Sequence, residues 1–280
     1  MQASHLNVSL VIPAYNEEEH LRGCLDAVAR QTVKPYEVIV VDNNSTDTTA
    51  TIARSYPFVR VVRERQQGKT YARDTGFHTA SGEIIGRIDA DTILPPDWMA
   101  RVSSYFAAHR QVAAISGRGT FYDVPLRRLL TVLHAAFYYR AQWLVTGMTV
   151  LWGANMAVRK DAWHAVGGHC LPLRDGQIDE DIDLSIQLYV RGFRAAYVPA
   201  LYASASMCRG NVGPRAVIAY VSSWHKNYSA NRLYGRAVLV YMLKLVLLAI
   251  ALPAAAIYAF IRLFKDGYQA RISPASESLR

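Results

Sequence analysis

Cysteine is scarce in this chain. The three present, Cys24, Cys170 and Cys208, are odd in number, widely spaced and form no Cys-x-x-Cys pair. That pattern argues against a disulfide framework or a zinc-thiolate cluster, and it fits a reducing compartment. Acidic residues nearly vanish from the last quarter. Residues 1–204 hold 21 Lys and Arg against 20 Asp and Glu, whereas 205–280 hold 10 against 2, so most of the net +9 lies at the C-terminal end. No basic face interleaved with aromatics is visible, so nucleic acid is not an expected partner. A long apolar run near the start is missing too: Val8–Ile12 is too short for the core of a signal peptide. Disorder is excluded by a composition that is 51% hydrophobic with 17 tyrosines.

An uninterrupted membrane span is also lacking. From Ala237 to Phe264 the chain is almost wholly apolar, but Lys244, Pro253 and Arg262 break it. Spanning takes about 20 apolar residues, and Leu245–Ile261 supplies 17. Pro253 would split such a segment into a kinked span or a re-entrant hairpin. Basic residues flank it on both sides, which leaves orientation open. Apolar helices combined with excess positive charge suit an anionic lipid surface. Residues 206–280 are therefore expected to form a membrane-associating region, peripheral or single-span, on the cytoplasmic face of the cell membrane.

What is present is a regular alternation. Strand patterns at Val8–Ile12, Val38–Val41, Val59–Val62, Ile84–Ile88 and Val112–Ile115 alternate with helical ones. The first helix places Leu21, Cys24, Leu25 and Val28 on one face, with Asn16 as N-cap and Glu19 completing a capping box. Further helices are expected over Thr46–Ser55, Thr70–Ala80 and Pro96–Ala108. Strands separated by helices imply an α/β fold with a mainly parallel sheet, whose ligands sit at the C-terminal strand ends. Asn16, Asp42 and Asp89 each follow a strand at that edge. Beyond residue 116, Leu129, Val132, Leu133, Ala136 and Phe137 share a helical face, either packed in a core or lying at an interface. A helix beginning at the acids 179–183 should stop at Gly192.

Asp89-Ala90-Asp91 closes an apolar run. In extended geometry residues i and i+2 point the same way, so both acids can face one divalent cation, Mg²⁺ or Mn²⁺, bridged to substrate phosphates. The second acidic group, Asp179-Glu180-Asp181-Ile182-Asp183, holds four acids in five positions. Helix capping uses one or two of them; the rest repel one another unless a site requires them.

Several segments in order resemble the family 2 glycosyltransferases: 8–18 (Val-Ser-Leu-Val-Ile-Pro-Ala-Tyr-Asn-Glu-Glu), 38–47, Ala80–Ile85, Asp89-Ala90-Asp91, Gly153–Arg159 and Glu180–Leu184. The resemblance covers about residues 8–200. It implies a GT-A fold, a nucleotide-sugar donor, a divalent metal and inversion at the anomeric carbon. It implies a catalytic domain over 1–205, with a nucleotide-binding half (1–116) and an acceptor half (117–205). By the same resemblance Asp91 is the metal ligand, and Asp89 is nearer the ribose or a metal-bound water. Lys69 lies near the donor phosphates, and Pro13, Tyr15 and Glu17 line the base and ribose. Asp42 and Asn43 stand where the family often has Asp-Asp, which leaves uracil against guanine open. An inverting transfer to a hydroxyl needs a carboxylate to take its proton. Asp181 matches the second acid of the family's Glu-Asp motif and is the expected base, with Glu180 and Asp183 in support. Trp152, Asn155 and His169 are candidates for shaping the acceptor pocket, or else packing and turn residues. A polyprenyl phosphate acceptor is already anionic and needs no base, so the Glu-Asp motif favours a hydroxyl on a saccharide or lipid-linked acceptor. The processive Gln-x-x-Arg-Trp motif is missing; Ser222-Ser223-Trp224-His225 stands there, so single-sugar addition is expected. The alternatives are a polyprenyl-phosphate sugar transferase and a catalytically silent nucleotide-sugar-binding membrane protein.

Overall fold

The structure, a computed structural model, describes residues 6–124, 127–171, 178–206 and 223–249. Among these described residues seven strands form one sheet in the order β3-β2-β1-β4-β6-β5-β7. They are β1 (Val8–Ala14), β2 (Glu37–Asp42), β3 (Val59–Arg63), β4 (Ile84–Arg87), β5 (Val112–Phe121), β6 (Met156–Arg159) and β7 (Arg194–Ala205). The expected α/β sheet is thus present, but it is mixed. Strand β6 runs antiparallel to both β4 and β5, while the other pairings are parallel. The chain winds outward from β1 to β3 and then returns to β4 on the other side of β1. That reversal opens a crevice beyond the carboxyl ends of β1 and β4, where open α/β sheets bind ligands.

Alternation along β1 explains the layers. Leu10, Ile12 and Ala14 join one core with α1 (Leu21–Ala29) and α4 (Trp98–Ala108). Val11 points to the other face, among Phe77 of α3 (Lys69–Thr79) and Trp163 of α7 (Lys160–Val166). Cys24 is fully enclosed in the first core, as its place on the apolar stripe implies. A shorter helix, α2, covers Thr49–Arg54.

Two local expectations fail at helix starts. Asn16 is not an N-cap: α1 begins at Leu21, after His20. Asn16 has φ 52 and accepts a hydrogen bond from the Thr46 amide at 2.8 Å, which ties the β1 exit to the β2 exit. Asn tolerates this left-handed backbone better than most residues. Glu19 therefore completes no capping box. At the far end of α8 (Glu180–Val190) the expectation holds. Gly192, at φ 78, donates to Tyr189 O and Phe193 donates to Leu188 O, the bond pair of a Schellman motif.

The stripe Leu129–Phe137 is not packed in a core. It lies on α5 (Arg127–His134), which continues as a π-helical segment, Ala135–Ala141, and then as α6 (Gln142–Thr146). The wide turn rotates the register, so that His134, Tyr138 and Tyr139 face inward while Leu129 and Val132 stay exposed. Tyr138 and Tyr139 join a third core with Ile182 and Ile186 of α8 and Trp224 and Tyr228 of α9 (Trp224–Ala230). Residues 234–249 form a further helix that buries Ala237 and Val240 there. Its outer face, Tyr234, Val238, Leu239, Tyr241, Met242, Leu245 and Val246, is exposed. No helix among the described residues is long and apolar enough to cross a membrane. The segment around Pro253 lies outside the described residues.

Candidate active site

The sheet edge gathers most of the sequence-derived candidates. Pro13 is the penultimate residue of β1, beside Val41 of β2, with exposed Tyr15 just beyond the strand. Glu17 is buried; its amide donates to Thr49 Oγ1 at 2.7 Å and its carboxylate approaches His20 Nδ1 at 3.4 Å. Asp42 ends β2 and its carboxylate accepts from the Ser45 amide, three residues on, at 3.1 Å, which closes the turn after the strand. Asn43 is occupied on both ends. Its Nδ2 donates to Glu64 O and Gln66 O, and its Oδ1 accepts from the Gly68 amide at 2.8 Å. It thereby sets the loop that delivers Lys69, the exposed first residue of α3.

The paired acids are arranged by a turn, not by extended strand. β4 ends at Arg87, and the Thr92 amide donates back to Asp89 O at 3.0 Å across residues 89–92. Asp89 is partly exposed, whereas Asp91 is buried, with its carbonyl accepting from the Tyr122 hydroxyl at 3.0 Å. Beneath them lies Cys24, whose Sγ is 3.8 Å from Asp89 O. Burial, then the charges of Asp91, Asp89 and Glu17, push its thiol well above the ordinary range.

The second acidic group opens α8, and each acid has its own partner. Asn227 of α9 accepts from the Asp179 amide at 2.9 Å and donates to Asp179 Oδ2 at 3.1 Å. Glu180 accepts from Arg87 Nη2 at 2.8 Å. Asp181 accepts from the Gly153 amide at 2.8 Å and from the neighbouring Ile182 amide. Asp183 accepts from the Leu171 amide at 2.9 Å and from Asn231 at 2.8 Å. Such pairing offsets the repulsion expected of a run of acids. The charges then separate by surroundings. Burial opposes ionisation of Glu180, yet Arg87, Lys69 and Arg73 hold it below the usual range. Burial, reinforced by Glu180 and Asp179, raises Asp181 to about 7. A carboxyl poised there accepts a proton near neutral pH.

Asn155 takes the packing alternative in this structure. It is fully enclosed, its Oδ1 accepting from Trp98 Nε1 at 2.8 Å and its Nδ2 donating to Leu201 O at 2.9 Å. Its burial pins the 152–155 turn from beneath. Trp152 packs against Phe121 and His134, a histidine that burial lowers to about 4 and so keeps neutral. His169 is exposed on a 3₁₀ turn, Gly167–His169. Two residues central to this geometry escaped the sequence reading. Arg87 joins Asp89 at 3.0 Å to Glu180, and Gly153 leaves the space its guanidinium fills. An arginine inside the apolar run 84–88 was the available signal, because a buried charge must find partners.

The donor set suits a hard divalent cation. Its ligands would be carboxylate oxygens of Asp91 and Asp89. Among the described residues no group of three or more His, Cys, Asp or Glu could hold a metal by itself.

The "Glycosyl transferase family 2" model matches residues 9–167. Glycosyltransferase AglE of Haloferax volcanii is 39% identical over 119 residues, covering 40% of this chain and 36% of that protein. An undecaprenyl-phosphate 4-deoxy-4-formamido-L-arabinose transferase of Pectobacterium carotovorum is 40% identical over 110 residues, covering 36% of this chain and 34% of that protein. The matches thus span about a third of those relatives' length. Among solved structures, the mannosyltransferase PcManGT of Pyrobaculum calidifontis, in complex with GDP-Man and Mn²⁺, superposes with a TM-score of 0.65 at 22% identity, covering 96% of this chain and 82% of that one. The strand order, the acids at the strand ends and these matches agree: the chain belongs to glycosyl transferase family 2.

Proposed function

We propose that this protein transfers one sugar from a UDP- or GDP-sugar to a hydroxyl of a saccharide or lipid-linked acceptor, with inversion. The observation that carries this reading is Asp181, a carboxyl raised to about 7 and fixed by the Gly153 amide beside the strand-end acids. In the reaction the acceptor oxygen bonds to the anomeric carbon as the bond to the diphosphate breaks, and the hydroxyl proton passes to Asp181. Pro13, Tyr15, Glu17 and Asp42 hold the nucleoside, and Lys69 faces the diphosphate. Asp91 and Asp89 would hold Mn²⁺ or Mg²⁺, which when bound would offset the charge growing on the leaving diphosphate. Glu180, paired with Arg87, stays ionised and keeps the proton on Asp181 favourable.

The catalytic unit is residues 1–205, with 1–116 serving the donor and 117–205 the acceptor. Residues 206–280 associate with the cytoplasmic face of the membrane. Support comes from the helix 234–249, which is apolar on its buried and its exposed sides, with Lys244 and Arg236 among its residues. A polyprenyl phosphate acceptor is the second reading, favoured by the activity for which the Pectobacterium relative is named. Asp181→Asn separates the two: activity on a hydroxyl acceptor disappears, whereas activity on a phosphate acceptor survives. Screening thermal stability against a panel of nucleotide sugars, with and without Mn²⁺, tests the donor assignment. Ligand at 100 times its dissociation constant stabilises by about 2.7 kcal/mol. No stabilisation by any member of the panel would sink the reading.

A further inference from the structure

Arg87 is buried on β4, and a single nitrogen, Nη2, serves two carboxylates from distant parts of the chain. It lies 3.0 Å from Asp89 Oδ1 and 2.8 Å from Glu180 Oε1. The other terminal nitrogen, Nη1, occupies the space above Gly153, where an added Cβ would overlap it. Gly153 is also the residue whose amide holds Asp181. The guanidinium is therefore enclosed between the Asp89 turn, the 152–155 turn and the first turn of α8. Arg73 supports the same turn from α3 by donating to Glu180 O.

We propose that Arg87 is a positioning residue that couples the two halves of the site, so that loading a divalent cation at Asp89 and Asp91 tightens its hold on Glu180 and seats the base-bearing end of α8. The inference rests on the cation site proposed above. The two hydrogens of Nη2 serve one carboxylate each, so Asp89 and Glu180 share the charge of a single guanidinium. A cation that neutralises Asp89 leaves that charge to Glu180 alone. The reverse follows by linkage: whatever strengthens the Arg87–Glu180 pair favours the cation. The donor site thereby reports its occupancy to the base without any contact between Asp91 and Asp181.

A double-mutant cycle read on Mn²⁺ affinity, by the electron paramagnetic resonance of free Mn²⁺ titrated in the presence of UDP or of GDP, tests this without turnover. Glu180→Gln leaves Arg87 to Asp89 alone and should weaken Mn²⁺ binding about fivefold or more. In the Arg87→Met background the same Glu180→Gln change should have no further effect. An equal loss in both backgrounds would mean simple long-range electrostatics and would overturn the proposal. Should Arg87→Met fail to fold, Gly153→Ala replaces it in the cycle, because it displaces the guanidinium while leaving every charge in place. The same loss of coupling is expected, and retained coupling overturns the proposal. If the wild-type protein binds no Mn²⁺ with either nucleotide, the proposed function itself fails, a result distinct from additive losses.

Discussion

The two acidic groups of the site are built in opposite ways. At the donor edge, Asp42 and Asp89 sit in short turns that follow parallel strands, with bonds made to residues nearby in sequence. At the base edge, α8 is held by partners distant in the chain: Arg87 before it, and Asn227 and Asn231 after it. The first arrangement leaves Asp89 partly exposed, which suits a ligand that comes and goes. The second fixes every carboxylate with its own donor, which suits a base that must stay aimed. The turns that carry Asp42 and Asp89 are closed locally, although Asn16 and Asn43 tie the surrounding loops across the chain, whereas each acid at the start of α8 draws on a distant partner.

Breaking either half should abolish turnover, by different routes. Asp91→Asn and Asp181→Asn should each lower the rate on a hydroxyl acceptor by at least ~10²-fold. Only Asp91→Asn should also remove cation-dependent donor binding, which calorimetry with and without Mn²⁺ reads.

Next in size is Asn227→Ala. It strips Asp179 of two hydrogen bonds inside a buried contact. A loss of about 1–3 kcal/mol is expected from unsatisfied buried groups, read as a lower urea midpoint, with turnover falling more than donor affinity. A comparable loss of donor binding would show that the two edges are not separately built.

Acidity sharpens the contrast further. Asp181 is raised from 3.8 to about 7, so the folded protein holds its proton where the unfolded chain has released it. That contribution to stability is complete below about 4 and is lost as pH rises through about 7. Catalysis needs the opposite form, so turnover should rise with pH through the same interval. Asp181→Asn should therefore be inactive on a hydroxyl acceptor and, at pH 8, more stable than wild type in urea. Glu180, held low, works in the other direction and loses its contribution only in acid.

How much was legible in the sequence follows the same division. The strands, the α/β class and the acids at the strand ends could be read from apolar runs and their terminating residues. Asn16 could not, because Ser, Asn and Asp favour turns as readily as caps, and here its side chain bridges to Thr46. Nor could the antiparallel run of β6, since pairing direction depends on where the chain re-enters the sheet. The apolar stripe Leu129–Phe137 left core and interface open, because Tyr138 and Tyr139 are turned inward by the π segment Ala135–Ala141, which no regular period announces. Asn155 was read as a pocket candidate, but Trp98 and Leu201 claim its amide, and neither is near it in sequence.

The smallest expected effect lies at the surface. Leu129→Ser with Val132→Ser should change stability by no more than about 0.5 kcal/mol per site, yet weaken co-sedimentation with vesicles containing phosphatidylglycerol. Unchanged sedimentation would confine lipid contact to the C-terminal region.

The central claim is that strand-end acids and a cation jointly hold the donor diphosphate. Its most direct measurement is the melting temperature with UDP or GDP, each with and without Mn²⁺, for wild type and Asp91→Asn. The account predicts a rise that needs both nucleotide and cation in wild type and vanishes in Asp91→Asn. A rise of equal size without the cation, or one that survives the substitution, would contradict it.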